Sequence, residues 1–257
     1  MLAGLRPAQI GFFMGEFMLK NILQVGLVIA DEMEYAAWEE LIGSAAVKQN
    51  FYARKGHRYV LNLGEKQIVT HSILCGIGTV NATAAAMYLV QQGADIILNY
   101  GLSGGISGVR RGEDVIGTSI IEHDFDLVCC GYKPCEKPSQ TYIYEADATL
   151  CHLLRATGVA EKSGRMASGD RFVSDPVLRD VLKKDFLVTC CDMETAAIAY
   201  VCHLTDTPFA CLRRVSDDAG EDATDAYHDM NQKPMISLAE GILTVIRALP
   251  EESKFWN

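Results

Sequence analysis

Carboxylate side chains recur at the ends of several predicted strands of this chain. In the stretch CCDMETAAIAYVCH, an apolar strand runs into an apolar helix, and Asp192 and Glu194 lie at the junction. Glu34 follows the first apolar run of the chain, and Asp217 ends another. Carboxylates are rarely buried unless they are paired or bound to something. Acids gathered at one edge of a sheet repel one another unless some bind cations, accept hydrogen bonds from hydroxyl groups or hold a proton.

Each of these acids also has an ordinary structural explanation. Asp192 and Asp217 are suitable helix caps, and Glu34 and Glu194 are first-turn acids that complement a helix dipole. Together they fit a site that binds sugar hydroxyls and keeps one acid protonated. No histidine or cysteine stands beside them at metal-ligand spacing, so the prediction is a site without a metal ion or an organic cofactor.

The net charge of the chain disfavours some classes of binding partner. The chain has 33 acidic and 23 basic residues, which gives a formal net charge of -10 at pH 7. A negative protein without a basic stripe is disfavoured as a partner of nucleic acid or of an anionic membrane surface. The predicted partner is therefore a small molecule.

The cysteines indicate a reducing compartment. There are nine, and most lie in apolar runs without the spacing of zinc-finger or redox motifs. Cysteines in such runs behave as small buried hydrophobes, so the prediction is a cytoplasmic protein with reduced thiols.

The elements that position the acids alternate between strands and helices. Residues 21–30 form a near-continuous apolar run that predicts a central parallel strand, and Asp31 is expected to cap a helix from Glu32 to about Ile42. Short β segments should break at Lys55-Gly56 and at Gly64-Glu65. An Ala-rich helix should close at Gly93.

The second half of the chain continues the alternation. The strand ADIILNY is expected to run into a glycine-rich loop, GLSGGISG, and the last helix is expected from about Lys233 to Leu249. This order predicts one α/β domain over residues 21–250, with three layers and a mostly parallel or mixed central sheet. Residues 1–20 are read as an extension, either disordered or a product of start-site choice, because Glu16 interrupts their apolar character. Ligands of such sheets bind beyond the carboxyl ends of the strands.

Five stretches of the chain carry a resemblance to a known family. They are GLVIADEMEY, CGIGTVNATAAA, LNYGLSGG, SGDRFV and DMETAAIAYVCH followed by RRVSD. In order and spacing they resemble the purine nucleoside phosphorylase/uridine phosphorylase superfamily, and within it the 5'-methylthioadenosine/S-adenosylhomocysteine nucleosidases. The resemblance implies that family's fold, a homodimer, and hydrolysis of an N-glycosidic bond that releases adenine. The segment HDFDLVCCGYKP is similar to one that contributes to the dimer interface.

The resemblance implies three catalytic residues. Glu34 matches the acid that activates the attacking water. Asp217 matches the acid that protonates N7 of adenine, with Ser216 in support. Glu194 matches the carboxylate that binds the ribose hydroxyls, with Met193 packed on the sugar.

The resemblance also implies the other substrate contacts. Phe172 matches the ring that stacks on adenine, and the backbone of Val173 would bind the edge of the base. Tyr227 falls where the family has an aromatic lid near the 5' substituent. The remaining predicted contacts are Ile77, Ser103, Gly104, Asp192 and Arg213.

A phosphate-dependent phosphorylase is the first alternative. Such an enzyme needs arginines to bind phosphate, and the superfamily's phosphorylases have them near the first-strand loop and before the glycine segment. Here those places read IADEMEY and ILNYGLSGG, without arginine. The prediction is therefore attack by water.

Three departures from the nucleosidase pattern keep other substrates open. Leu102 stands where a serine is usual, Asp31 where an apolar residue is usual, and Asp192 where a glutamate is usual. They leave Glu34, Glu194 and Asp217 in place. Hydrolysis of futalosine or of another adenine nucleoside, and nucleoside binding without catalysis, remain alternatives.

Overall fold

The computed structural model describes residues 21–231 and 235–250, and these residues form ten strands and seven helices. The strands are β1 (Asn21–Ile29), β2 (Val47–Phe51), β3 (Arg54–Leu63), β4 (Lys66–Leu74), β5 (Ile96–Gly105), β6 (Asp114–Glu122), β7 (Ile143–Glu145), β8 (Lys162–Ser168), β9 (Val188–Asp192) and β10 (Phe209–Asp217). The helices are α1 (Glu32–Ile42), α2 (Thr79–Gln91), α3 (Ala148–Ala156), α4 (Pro176–Asp185), α5 (Thr195–Leu204), α6 (Ala223–Asn231) and α7 (Ile236–Ala248).

The ten strands form one mixed sheet. Its order is β10-β6-β8-β9-β5-β1-β4-β3-β2, with β7 paired to β6. An additional pairing joins β10 to β5, so that β5, β9, β8, β6 and β10 close into a ring. The pairs β1–β4, β1–β5, β5–β10, β6–β8 and β8–β9 are parallel, whereas β5–β9 and β6–β10 are antiparallel. The predicted α/β fold with a mixed central sheet is confirmed.

Helices cover both faces of the sheet. Along β1, Val25 and Leu27 face the core that includes Trp38 of α1, while Val28 faces the core that includes Ala85 of α2. This alternation follows from the two-residue period of a strand. A strand covered on both faces is apolar throughout, which explains the near-continuous apolar run of β1.

Several predicted boundaries are confirmed. Strand β1 ends at Ile29, and Asp31 caps α1, because its side chain accepts a hydrogen bond from the backbone N–H of Met33 at 2.8 Å. Helix α2 ends at Gln91, just ahead of Gly93, whose φ is +88°. The break at Gly64-Glu65 separates β3 from β4.

Three boundaries differ from the predictions. Lys55 and Gly56 lie inside β3, and the chain instead turns at Tyr52, whose φ is +46°. The predicted glycine-rich loop is wrong over residues 101–105, because β5 continues to Gly105 and pairs there with both β9 and β10. Helix α7 begins at Ile236; Lys233 and the predicted extension of residues 1–20 lie outside the described residues.

The predicted alternation omits β7, of three residues, and the helices α4 and α6, of ten and nine residues. Within residues 21–231 and 235–250, no helix combines the length and the hydropathy needed to cross a lipid bilayer.

Candidate active site

The predicted site residues meet in one cavity at the carboxyl ends of β1, β5, β9 and β10. The cavity has about 690 Å³ of empty space, part of it open to solvent, which is within the usual range for small-molecule sites. Every predicted site residue except Arg213 lines it: Glu34, Ile77, Ser103, Gly104, Phe172, Val173, Asp192, Met193, Glu194, Ser216, Asp217 and Tyr227.

Glu34 is held in the wall by two backbone N–H groups. The N–H of Leu102 donates to Oε1 at 2.8 Å, and the N–H of Asp31 donates to Oε2 at 3.3 Å, closing the capping box of α1. The side chain packs directly on Gly101, where an added Cβ would lie 2.5 Å from Oε1. Burial raises the pKa of Glu34 to about 8, although the Arg213 charge and the Leu102 hydrogen bond oppose the shift. A carboxylate whose pKa lies near neutrality suits proton transfer at neutral pH.

Glu194 lies at the junction of β9 and α5 and is buried. Its Oε1 accepts a hydrogen bond from the N–H of Gly78 at 2.9 Å, at the start of α2. Gly78 has a φ of +103°, a conformation that favours glycine. Burial and the charge of Asp192 raise the pKa of Glu194 to about 7, against the lowering effect of Arg213.

Asp217 ends β10 at an irregularity in the sheet. The pairing of β10 with β5 shifts register between Val215 and Asp217, and such a bulge changes the direction of a side chain. Ser216 Oγ donates to Oδ2 of Asp217 at 2.6 Å, and the N–H of Ala219 donates to Oδ1 at 2.8 Å. Burial raises the pKa of the Asp217 carboxyl, while these two hydrogen bonds oppose the shift.

Asp192 and Arg213 form a buried pair behind the cavity wall. Arg213 Nε lies 2.8 Å from Asp192 Oδ2, and the exposed fractions of the two side chains are 1% and 2%. Asp192 Oδ1 accepts hydrogen bonds from Ser168 Oγ at 2.5 Å and from the N–H groups of Glu194 and Thr195 at 3.1 Å each. The hydroxyl of Thr195 also bonds to Oδ2.

These contacts give the pair a structural role beside the substrate contacts predicted for it. Arg213 does not line the cavity, because its guanidinium is turned to Asp192, Asn99 and Thr195. Asp192 reaches the wall, but protein donors occupy both of its carboxylate oxygens. Both residues therefore support the β9–α5 junction that carries Glu194, while Nη1 of Arg213 lies beside Gly101 and Glu34 Oε1.

Apolar and aromatic residues form the rest of the wall. Phe172 and Tyr227 meet edge to face, with ring centroids 5.6 Å apart. Phe172 is 38% exposed and Val173 is buried, whereas Ile77 lies exposed at the rim. A half-exposed ring beside a cavity is available to stack on a flat ligand.

Sequence reasoning missed several groups that build the site. The backbone N–H groups of Leu102 and Gly78 anchor two of the carboxylates, and Asn99 binds the guanidinium of Arg213 at 2.5 Å. Arg171 and Cys191 also line the cavity. The glycines of LNYGLSGG were the available signal, since glycine inside a strand often marks a close approach of another group.

The described part of the chain contains no group of three or more His, Cys, Asp or Glu side chains arranged to hold a metal ion. The donors that reach the cavity carboxylates are backbone N–H groups, hydroxyls and one arginine.

Comparison with known proteins gives consistent results. A family model described as "Phosphorylase superfamily" matches residues 24–247. The 5'-methylthioadenosine/S-adenosylhomocysteine nucleosidase of Halalkalibacterium halodurans is 32% identical over 198 residues, which cover 74% of this chain and 85% of that protein.

Two solved structures are also similar. The nucleosidase of the same name from Neisseria meningitidis, in complex with methylthio-immucillin-A, is 29% identical with a TM-score of 0.79, covering 88% of this chain and 99% of that one. The futalosine hydrolase of Helicobacter pylori has a TM-score of 0.81, covering 88% of this chain and 98% of that one; at 23% identity it shows the shared fold alone.

Proposed function

The chain belongs to the phosphorylase superfamily, and from that premise we propose that it is a nucleosidase, a hydrolase of N-glycosidic bonds. Its proposed substrates are 5'-methylthioadenosine and S-adenosylhomocysteine, from which it releases adenine. The observation that carries the proposal is the pair of buried acids Glu34 and Asp217 at opposite sides of β5, with Glu194 beside them. Relatives with the nucleosidase name support the substrate class.

The proposed reaction needs a base for water and an acid for the leaving group. Glu34 accepts a proton from water, whose oxygen attacks C1' of the ribose. The C1'–N9 bond breaks, its electron pair moves to the base, and the protonated Asp217 carboxyl delivers its proton to N7. The products are adenine and the 5-thio-substituted ribose, and the proton left on Glu34 returns to Asp217 through solvent. General acid or base assistance of this kind contributes about 10²- to 10⁴-fold each.

Glu194 is proposed to bind the ribose hydroxyls. Hydrogen bonds to a charged group contribute about 1.5–3 kcal/mol each. A carboxylate beside the sugar also stabilises the positive charge that develops on the ring during the reaction, as in glycoside hydrolysis. Met193 would pack on the sugar, Phe172 would stack on adenine, and Ser216 would orient Asp217.

The acidic residues that line the cavity favour hydrolysis over phosphorolysis. The first-strand loop supplies Asp31 and Glu34 to the cavity, and β5 supplies no arginine there. Of the lining residues in the described part of the chain, one is an arginine: Arg171, whose side chain is 57% exposed and pairs with Asp175 at 3.5 Å. A wall rich in carboxylates repels a phosphate nucleophile and suits the activation of water.

Two further proposals concern the whole protein. We propose a homodimer through the segment of residues 123–134, where Val128 and Tyr132 expose 47% and 38% of their surface. We also propose a cytoplasmic location, because all nine cysteines are free thiols.

The test is adenine release with and without phosphate. We expect release from methylthioadenosine and S-adenosylhomocysteine at a rate independent of phosphate. Turnover that requires phosphate would indicate a phosphorylase, release from futalosine alone would change the substrate, and tight binding without release would indicate a non-catalytic protein.

A pair of variants tests the proposed acid. Asp217→Asn should reduce kcat by about 10²- to 10⁴-fold on both nucleosides while substrate still binds. Asp218→Asn alters the adjacent, exposed carboxylate and should keep activity within a few-fold. Equal activities of the two variants would remove Asp217 from the mechanism.

A further inference from the structure

One carboxylate of the cavity has no part in the proposed reaction. Asp31 lines the cavity and is half-buried. Its Oδ1 accepts the N–H of Met33 at 2.8 Å, and among residues 21–231 and 235–250 no donor to Oδ2 is found. Within the same residues, no lysine, arginine or histidine forms an ion pair with it.

Among the described residues of the cavity wall, no basic side chain pairs with Asp31. Arg213, the nearest buried guanidinium to the acids, is paired with Asp192, and Arg171 is paired with Asp175. The described wall therefore presents the acids Asp31, Glu34 and Glu194 to a ligand without an equal positive charge, and Asp217 is protonated in the proposed reaction. Such a wall attracts a ligand that brings its own cation.

The sheet places Asp31 on the far side of the site from Asp217. Residues 97–99 of β5 pair with β1 on one edge and with β10 on the other, so the two strands flank β5. Asp31 follows β1 and Asp217 ends β10. If Asp217 binds the base, the opposite flank of the ribose, which carries the 5' carbon, extends toward β1.

Tyr227 lines the same cavity as Asp31. Burial raises the pKa of the Tyr227 phenol, and of the four carboxylates that add to this shift Asp31 contributes most and Asp217 least. Tyr227 and Phe172 form an aromatic wall of the cavity.

We infer that Asp31 is a specificity-determining residue that selects nucleosides whose 5'-thio substituent carries a protonated amine. This inference rests on the proposed function. An ammonium group would give the carboxylate the charge-assisted hydrogen bond that its Oδ2 lacks within the described chain. A plain alkyl group would remove water from the carboxylate and offer it no donor, which is unfavourable. The site should therefore prefer an aminoalkylthio or amino-acid substituent to an alkylthio substituent of the same length.

Two nucleosides of the same size, one with an ammonium group and one without, measure the effect of the ligand's positive charge. The first is 5'-(3-aminopropylthio)-5'-deoxyadenosine, and the second is 5'-butylthio-5'-deoxyadenosine, in which a methyl group replaces the ammonium. Each is assayed with the wild-type protein and with Asp31→Asn, both for adenine release and for the dissociation constant by calorimetry. Asparagine is as good a helix cap as aspartate, so the variant removes the charge while α1 keeps its N-cap.

The four measurements form a double-mutant cycle. We expect the wild-type kcat/KM to favour the amine by about tenfold, and Asp31→Asn to abolish most of this preference, mainly through KM. The preference should weaken as salt is raised from 0.05 to 0.5 M, as expected for a partly exposed pair. Because Asp31 also raises the pKa of Glu34, a change in that base would affect both nucleosides equally and cancel in the ratio.

The outcomes separate this inference from the proposed function. If both nucleosides release adenine and the wild-type and Asp31→Asn ratios agree within twofold, the role of Asp31 is wrong and the nucleosidase proposal stands. If neither analogue nor methylthioadenosine releases adenine, the nucleosidase proposal fails, and the dissociation constants of the two analogues still decide whether Asp31 selects the amine. A wild-type preference for the butylthio compound would also overturn the inference.

Discussion

The carboxylates of Asp192, Glu34 and Glu194 lie at the same sheet edge, but Asp192 has different hydrogen-bond partners from the other two. Asp192 has a guanidinium, two hydroxyls and two backbone N–H groups around its oxygens. Glu34 and Glu194 are also buried, but the hydrogen-bond donors that reach them within residues 21–231 and 235–250 are backbone N–H groups. Burial correspondingly raises the pKa of these two to about 8 and about 7.

This difference distinguishes carboxylates that stabilise the structure from carboxylates that can take part in a reaction. A buried carboxylate whose oxygens are fully bonded within the protein holds the structure in one arrangement. A buried carboxylate with few donors can exchange a proton or accept hydrogen bonds from a ligand, and perturbed pKa values of this kind are typical of functional sites. Replacing members of the two groups should therefore affect different properties.

The largest effect is expected at the proposed base. Glu34→Gln should lower kcat by about 10²- to 10⁴-fold, because a neutral amide cannot accept the proton of water. The free energy of unfolding above pH 8 should not fall, since the variant removes a buried charge. Glu32→Gln, in the same helix turn but exposed, is the control for kcat and for urea unfolding. Equal kcat values for the two variants would contradict the proposed role of Glu34.

The second largest effect is expected at the buried pair. Arg213→Met leaves the Asp192 carboxylate without its counter-ion, and breaking a buried pair costs about 3–5 kcal/mol of unfolding free energy. Lys184→Met breaks the exposed pair with Asp180 and should leave the melting temperature unchanged. The double variant Asp192→Asn/Arg213→Met should recover part of the loss. A loss below about 1 kcal/mol in Arg213→Met would mean that the pair does not support the site.

A third effect is a dependence of stability on pH. The folded protein binds a proton at Glu34 more tightly than the unfolded chain does, because its pKa is raised from 4.5 to about 8. Stability contributed by this group is therefore present below about pH 4.5 and is lost as pH rises through about 8. Urea unfolding of the wild type and of Glu34→Gln between pH 5 and pH 9 measures it. The difference between the two proteins should change in favour of Glu34→Gln as pH rises, and parallel curves would contradict the raised pKa.

The smallest of these effects is expected at Gly101, between the Glu34 carboxylate and the Arg213 guanidinium. Gly101 lies between them, and an added Cβ would stand 2.5 Å from both Glu34 Oε1 and Arg213 Nη1. Gly101→Ala should shift Glu34 and lower kcat by roughly tenfold, since displacements of a fraction of an ångström reduce catalysis. A change confined to KM would show instead that the extra methyl group only obstructs the substrate.

Much of the fold was predictable because its signals are local. The apolar run of β1, the cap at Asp31 and the start of α5 after the acids are set by residues within one or two turns of each other. Strand β5 was cut short in the prediction because glycines usually end strands. Here Gly104 and Gly105 stay in the sheet because β9 and β10 pair with them from about 85 to 115 residues away in sequence, a cause that no local pattern records.

The acidic residues of the site could be identified from the sequence. Which of them supports the structure and which is available for a reaction depends on the tertiary structure. By itself the sequence determined which strands end in carboxylates and that these ends share one edge of a sheet. The tertiary structure decided which carboxylates are satisfied, because Arg213 comes from β10 to Asp192. Within the described chain, by contrast, the donors to the other two acids are backbone N–H groups: those of Asp31 and Leu102 for Glu34, and that of Gly78 for Glu194. Burial and hydrogen-bond partners depend on residues distant in the chain, and they set the charge state on which the chemistry depends.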